Sequence, residues 1–170
     1  MRWRLSDRFD PAARELADRH YNRQKVGSPQ FVPPGRCCVL YTETDTGRAF
    51  WVTSWPFAEY VRHAWAGAWV CSAFRNEGAG VASELIVEAL AATRAFFGDP
   101  PPLGMITFVD RRKVKPTRVR GEDVFGWTYR RAGFVEAGET KGGLLALQLL
   151  PSAMPAPVPA MGSQFDLLSA

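Results

Sequence analysis

Residues 69–98 decide the fold, and they read WVCSAFRNEGAGVASELIVEALAATRAFFG. The apolar beginning, from Trp69 to Phe74, predicts a β-strand. From Gly80 to Phe97 apolar residues recur at helical spacing, which predicts an α-helix, and Gly98 ends it. A strand followed directly by a long helix is typical of an α/β domain.

The segment between this strand and this helix, Arg75-Asn76-Glu77-Gly78-Ala79-Gly80, is predicted to open the helix and to hold a phosphate-bearing ligand. Backbone amides at a helix N-terminus lack partners within the helix, and the helix dipole favours an anion there. Gly78 and Gly80 would let the backbone approach a phosphate without a Cβ clash. An ordinary strand-to-helix turn is the alternative, because a single Gly-x-Gly is a weak signal.

Further elements are predicted on both sides of this stretch. A helix begins at Asp10-Pro11 and runs to about Arg19. The other predicted elements are a hairpin of strands Cys37 to Thr42 and Ala49 to Ser54, a strand from Met105 to Val109, a short helix from Gly126 to Ala132, and closing strands at Phe134-Val135 and Leu144 to Leu150. Residues 1–150 are expected to form one domain, and the Pro/Ala-rich residues 151–170 a disordered tail.

Composition is that of an ordinary soluble domain. The chain has 170 residues, of which 46% are apolar and 22% are charged. No apolar run reaches membrane-spanning length and no signal peptide is recognisable, so a soluble, cytoplasmic protein without a membrane partner is expected. Cys37, Cys38 and Cys71 lie in apolar segments and are expected to be buried free thiols. Together with His20 and His63 they do not show zinc spacing.

A basic segment follows the strand predicted from Met105 to Val109. Residues 110–120 carry six cations and one acid, in a chain whose net charge is +4. The cations are Arg111, Arg112, Lys113, Lys115, Arg118 and Arg120. Such a run is usually a solvated loop, but beside a binding site it favours contact with a nucleic-acid backbone.

Two elements together resemble the GNAT acyltransferase superfamily, over roughly Arg36 to Leu149. The family's loop of Gln or Arg, two residues, Gly, one residue, and Gly or Ala is matched by Arg75, Gly78 and Gly80. Its later Tyr-x-x-x-Gly-Phe is matched by Tyr129, Gly133 and Phe134. The resemblance implies a GNAT-like α/β fold with a mixed central β-sheet flanked by helices, and acetyl-CoA or another acyl donor. It also implies that Tyr129 protonates a leaving thiolate; a packed helix tyrosine is the alternative.

Shorter motifs resemble the Mom group of phage DNA-modification proteins, which are GNAT-like enzymes. These motifs are His20-Tyr21-Asn22-Arg23, Gly35-Arg36, Phe74-Arg75-Asn76-Glu77, Ala82-Ser83-Glu84-Leu85, Phe108-Val109-Asp110 and Thr140-Lys141-Gly142. The group more often has Ser where Asn22 stands. Its members convert adenine in DNA to a carbamoylmethyl derivative that protects phage DNA from restriction. The resemblance therefore implies double-stranded DNA as partner, the host cytoplasm as location, and iron as a candidate metal.

Carried over residue by residue, the same resemblance implies that Arg75 and Ser83 lie at the cofactor end of the helix, with Asn76 in the same loop. Asp110 would close the neighbouring strand, and Tyr129 would face it. The carboxyl end of a buried strand is where α/β sites gather, so Asp110 is a candidate to orient or deprotonate an amine. Capping the next turn is the alternative for Asp110.

A polar loop follows the first helix. His20 is a candidate general base or ligand, and a helix C-terminal cation is the alternative. Tyr21 is a candidate for stacking on a base extruded from the duplex. The predicted DNA-backbone contacts are Arg23, Lys25, Arg111, Arg112, Lys113 and Lys115.

These features favour an enzyme that modifies adenine in DNA. One alternative is an N-acetyltransferase that uses acetyl-CoA on a small molecule or a protein, which needs the same loop but not the basic segment. The other is a non-catalytic nucleic-acid-binding module on a GNAT scaffold.

The chain ends in a candidate partner peptide. Gln164, Phe165, Leu167 and Leu168 resemble the short peptides with which bacterial replication proteins bind the sliding clamp. A peptide of this kind inserts a few apolar side chains into a preformed pocket. Packing of these side chains against the domain, or a chance match, is the alternative.

Overall fold

The computed structural model describes residues 1–163 and has a mixed α/β fold. Its strands are β1 (Arg4–Ser6), β2 (Cys37–Thr44), β3 (Gly47–Ser54), β4 (Trp69–Glu77), β5 (Met105–Val109), β6 (Thr117–Val119), β7 (Glu122–Val124), β8 (Val135–Glu139) and β9 (Leu145–Leu149). Its α-helices are α1 (Pro11–Asp18), α2 (Ala82–Phe97) and α3 (Trp127–Arg131), and short 3₁₀ turns lie at Ala58–Tyr60 and Pro151–Ala153. Seven strands form one sheet in the order β1-β2-β3-β4-β5-β9-β8, while β6 and β7 form a separate hairpin. The predicted fold class, a mixed sheet flanked by helices, is confirmed.

Helices cover both faces of the sheet. On one face Leu85 and Leu90 of α2 are buried in a cluster that also contains Trp51. On the other face Leu16 of α1 is buried together with Phe50, the neighbour of Trp51 in β3. Because successive side chains of a strand point to opposite faces, these two clusters lie on opposite sides of the sheet.

The only parallel neighbours in the seven-stranded sheet, β4 and β5, separate partway along their length. Their pairing covers Trp69 to Cys71 of β4 and Met105 to Thr107 of β5. Strand β4 continues to Glu77 as a partner of β3, with a bulge opposite Val52/Thr53. The two strands therefore diverge beyond Cys71 and open the sheet at its centre.

The predicted boundary between strand and helix is wrong by several residues. Arg75 pairs with Phe50 of β3 and Asn76 pairs with Ala49, so both residues belong to β4 rather than to a loop. Helix α2 begins at Ala82, not at Gly80. The physical reason is that β3 continues to supply backbone partners after the apolar part of β4 has ended.

The basic segment ends in a hairpin that the sequence did not predict. Strands β6 and β7 pair between Thr117–Val119 and Glu122–Val124. Arg120 and Gly121 at the turn have φ of 51° and 82°. Two positive φ angles are typical of the type I′ turn, whose twist matches that of paired strands.

The prediction of a disordered tail is wrong for residues 151–163. Met154 and Ala160 are buried in the core cluster under α2. The Met161 amide donates to the Trp3 carbonyl, and the Leu5 amide donates to the Met161 carbonyl. The segment thus pairs with the open edge of β1, which satisfies backbone groups that would otherwise lack partners. The candidate clamp peptide, Gln164 to Leu168, lies outside the described residues.

Candidate functional site

A cleft of about 490 Å³ opens where β4 and β5 diverge. Cys71 and Phe74 of β4 form one wall, and Thr107 of β5 forms the other. Tyr129 of α3 also lines it, and Lys115 lies at its edge, just before the β6–β7 hairpin. Its volume is within the range of small-molecule binding sites, about 300–1,000 Å³.

Tyr129 points its hydroxyl at the wall of the cleft. The hydroxyl lies 3.7 Å from the Cys71 sulfur. The ring packs edge-to-face on Phe74 and Phe134, with centroid separations of 6.4 and 5.4 Å. Burial raises the pKa of Tyr129 well above its usual value, and burial raises the pKa of Cys71 to about 12. At neutral pH Tyr129 therefore keeps a proton to donate, whereas Cys71 is a poor nucleophile.

Three residues that follow α1, His20, Tyr21 and Asn22, tie the diverging strands together, and we call them the clasp. The Tyr21 hydroxyl donates to the Phe108 carbonyl of β5 at 3.3 Å. The Asn22 side-chain amide donates to the Ser72 carbonyl of β4 at 2.9 Å. The clasp therefore holds both walls of the cleft.

His20 is held in place by its neighbours. Its Nδ1 lies 2.6 Å from the Asn22 side-chain oxygen, and its ring stacks on Tyr21 at a centroid separation of 4.8 Å. Burial lowers the pKa of His20, an effect that hydrogen bonds to Asn22 and to the Phe74 backbone partly offset. The lowered pKa favours the neutral imidazole that the predicted general base requires over the cation of the alternative.

Tyr21 is less available for base stacking than predicted. One face of its ring is covered by His20, and its hydroxyl is bonded to β5. Burial raises the pKa of Tyr21, so the hydroxyl stays protonated. These contacts hold Tyr21 against β5 and against His20, which is a structural role.

Arg75 does not point toward the glycine loop. Its Nη1 donates to the Arg19 carbonyl at 2.8 Å, and its Nε donates to Glu77. Arg19 also donates two hydrogen bonds to Glu77, at 2.9 and 2.7 Å. The Arg19 hydrogen bonds, followed by Arg75, lower the pKa of Glu77 to about 2. This ion-pair cluster fixes the end of α1, and hence the clasp, against β4.

In the loop predicted to cradle a phosphate, some of the polar groups form hydrogen bonds with one another. The Asn76 side chain accepts from the Ala79 amide at 2.9 Å and donates to the Gly80 carbonyl at 2.8 Å. Gly78 has φ +85°, and a Cβ there would lie 2.9 Å from the Thr46 carbonyl oxygen. The glycine is therefore required by packing against the β2–β3 turn.

The first turn of α2 has one feature of an anion-binding site, namely backbone amides that the N-cap side chain does not bind. Val81 occupies the N-cap position and provides no side-chain hydrogen bond, so no capping side chain occupies the first amides. Ser83 lies half-buried in this turn, next to Glu84, which pairs with Arg2. The carboxylate of Glu84 opposes anion binding at this end of the helix.

Asp110 has the alternative role, that of a turn cap. Its carboxylate accepts from the Arg112 backbone amide at 3.0 Å and from the Arg112 Nε at 2.9 Å. The Arg112 guanidinium holds the pKa of Asp110 below its usual value. Asp110 is not among the described residues that line the cleft. The prediction that it handles a substrate proton is not supported by this geometry.

The predicted DNA contacts fall into two groups. Arg23 is internal: only 8% of its side chain is exposed, and it donates to Asp18 and to the carbonyls of Ser28 and Gln30. Arg111 and Arg112 pair with Glu139 and Asp110. Arg112 stays 72% exposed in its pair, and the other predicted contacts, Lys25, Lys113 and Lys115, are exposed as well.

Asn22 and Cys71 are site residues that the sequence did not single out for function. In the sequence, Asn22 was noted only because the Mom group more often has Ser at that position. Cys71 was predicted only to be a buried free thiol. A signal that could have identified Asn22 is its position in the chain directly after two candidate residues, His20 and Tyr21.

Among residues 1–163 no group of three His, Cys, Asp or Glu side chains is close enough to hold a metal ion.

Comparison of the chain with protein-family models, with curated proteins and with solved structures finds no match. Within residues 1–163 no helix is both long and apolar enough to cross a membrane. Functional inference therefore rests on the residues of the cleft and its surroundings.

Proposed function

We propose that this protein is a GNAT-type transferase that modifies adenine in double-stranded DNA, with the carbamoylmethyl product that the Mom resemblance implies. The observation that carries the proposal is the cleft itself. It lies between diverging parallel strands, contains a protonated tyrosine, has walls that are held by the clasp, and is lined by Lys115 of the basic segment.

The wall formed by β4 suits an extended donor. Beyond Cys71 this strand is paired with β3 but no longer with β5. Apart from the Ser72 carbonyl, which accepts from Asn22, backbone groups on its open side can therefore bind a chain-like ligand that carries amides, as an added strand would. Coenzyme A has such an amide-bearing arm. An acyl thioester alone would join the adenine nitrogen to a carbonyl carbon, whereas a carbamoylmethyl group is joined through its CH2 carbon. The donor for this product must therefore carry its leaving group on that CH2 carbon, and the amine displaces it there.

Two side chains, His20 and Tyr129, each carry out one of the two proton transfers. Neutral His20 accepts the proton that the attacking amine loses as its new bond to carbon forms. The Tyr129 hydroxyl gives its proton to the leaving group, and burial keeps that hydroxyl protonated until then. Asp110 has no part in these steps, because its carboxylate is bound to Arg112.

The basic segment before the hairpin favours DNA over the other acceptors. Lys113 and Lys115 are exposed there, whereas the hairpin itself carries two cations and two acids, with Arg118 paired to Asp123. An acetyltransferase acting on a small molecule needs the cleft but has no need of exposed lysines beside it. A base within a duplex cannot enter a cleft of this kind, so the target nucleotide must leave the stack.

Restriction digestion of plasmid DNA tests the proposal. Plasmid from cells that express the protein should resist several endonucleases whose sites contain adenine. Plasmid from cells that express Tyr129→Phe should be cut as in cells without the protein. Complete cutting of the plasmid in both cases would contradict the proposal.

A further inference from the structure

A second cavity of about 470 Å³ lies beside the cleft, under the loop formed by residues 19–36. We call it the loop pocket. Its floor includes Phe50 of β3 and Ala73 of β4, and its roof includes Gln30, Phe31 and Val32 of the loop. His20 and Asn22 of the clasp also line it.

The loop over this pocket is long and internally fastened. It contains no helix or strand between Asp18 and Cys37. Arg23 holds it closed by donating to Asp18 at 2.8 Å, to the Gln30 carbonyl at 2.7 Å and to the Ser28 carbonyl at 2.6 Å. Long irregular loops in compact domains are usually functional, and this one is shaped around an open volume.

The loop pocket and the cleft share a wall. Four residues line both spaces: His20, Asn22, Ser72 and Ala73. Ser72 lies at the bulge of β4, and bulges often occur where a strand is re-aimed beside a binding site. A ligand in the loop pocket can therefore meet a donor in the cleft at His20.

The lining indicates what kind of ligand fits. Half-buried Phe31 supplies apolar ring surface, and its ring packs edge-to-face on the buried Phe50 at a centroid separation of 6.4 Å. Within residues 1–163 the Gln30 carboxamide has no hydrogen-bond partner, since only its backbone groups are bonded. Lys25 adds an exposed cation, and none of the described lining residues is acidic.

We propose that the loop pocket binds a purine nucleotide and directs the exocyclic amine of the purine toward His20. A carboxamide offers a donor and an acceptor side by side, which matches the edge of adenine. Phe31 provides a ring face for stacking, and Lys25 attracts the phosphate. The proposal rests on the proposed function for its source of nucleotide, an adenine extruded from DNA; a free purine nucleotide is the other source.

Titration of the purified protein with dAMP, followed by NMR of the backbone amides, tests this pocket. We expect shifts at Phe31 and Ala73 that saturate, and weaker shifts with dTMP. Gln30→Ala and Phe31→Leu should each weaken dAMP binding by about tenfold, since each removes an edge or a stacking contact. Gln148→Ala, which removes a carboxamide bonded to the Leu103 carbonyl, is the matched control and should bind dAMP as the wild type does.

The outcomes separate this proposal from the proposed function. Unchanged dAMP affinity in both pocket variants, or no dAMP binding by the wild type, would overturn the pocket assignment. Coenzyme A should bind the wild type and both variants equally, because the cleft is intact. Pocket-dependent dAMP binding without any DNA modification in cells would support the pocket and assign it to a free nucleotide. DNA modified at the wild-type level by both variants would refute the pocket and leave the proposed function standing.

Discussion

The loop after β4 and the clasp after α1 both present polar groups near the centre of the sheet, but they use them differently. In the loop, Asn76 and Thr46 bond the backbone of Gly78 to Gly80, so that its shape is set by contacts within the protein. In the clasp, Asn22 and Tyr21 bond the two walls of a cleft that stays open between them. A glycine motif therefore does not by itself mark an open site, whereas the break in strand pairing between β4 and β5 does open a cleft.

The largest effect is expected from Tyr129→Phe, which tests the cleft. Without the hydroxyl the leaving group receives no proton from this position, and DNA modification should fall by about a hundredfold or more. The ring contacts with Phe74 and Phe134 remain, so the melting temperature should change little. Modified nucleoside in plasmid DNA is measured in both strains. Tyr41→Phe, which alters a hydroxyl bonded to Glu43, is the matched control.

If Tyr129→Phe produces as much modified nucleoside as Tyr41→Phe, the cleft tyrosine has only a packing role. The proton would then have to come from another group in the cleft.

Gly78→Val tests the loop and should destabilise the protein rather than block donor binding. Its Cβ would lie 2.9 Å from the Thr46 carbonyl oxygen, at a φ of +85° that valine rarely adopts. Unfolding in urea should show a loss of about 1–3 kcal/mol. The folded fraction should bind coenzyme A as the wild type does. Normal stability with weakened coenzyme A binding would instead favour a phosphate cradle.

Charge reversal on the hairpin should weaken DNA binding for all sequences alike. Lys115→Glu, Arg118→Glu and Arg120→Glu each remove an exposed cation, and each lost phosphate contact should reduce the salt slope of binding by roughly one. Arg4→Glu makes the same charge change on β1, three strands away from β4, and is the control. Equal salt slopes for the control and the hairpin variants would make the hairpin a solvated structure.

The smallest effect concerns the ion-pair cluster that fixes the clasp. The pKa of Glu77 is lowered to about 2 by Arg19 and Arg75, below the value of about 4.3 for an unfolded chain. Its contribution to stability is therefore present above pH 4.3 and is lost as the pH falls toward 2. Glu77→Gln should be less stable than the wild type at pH 7, and the difference should shrink in acid. A difference that is independent of pH would mean that packing, not charge, is what Glu77 provides.

Local patterns in the sequence predicted the regular elements well. The strand Met105–Val109 was predicted with its observed bounds, because it is a continuous apolar run. The start of α1 was predicted because Asp10 caps the Ala12 amide and Pro11 follows. These features depend on neighbouring residues only.

Features that depend on distant partners could not be predicted. Arg75 and Asn76 belong to a strand because they pair with residues of β3. Residues 151–163 are ordered because Met161 forms backbone hydrogen bonds with Trp3 and Leu5. Asn22 of the clasp binds the carbonyl of Ser72, which lies fifty positions away in the chain. His20 and Tyr129 were identified through motifs, but the opening between β4 and β5 that unites them has no local signal.

Modification of a DNA base in this cleft is best tested by mass spectrometry of nucleosides from plasmid DNA of expressing cells. We expect a deoxyadenosine derivative, with the mass of a carbamoylmethyl addition, that is present with the wild type and lost with both Tyr129→Phe and His20→Gln. Unmodified deoxyadenosine alone with the wild type, or the same derivative in undiminished amount with both variants, would contradict it.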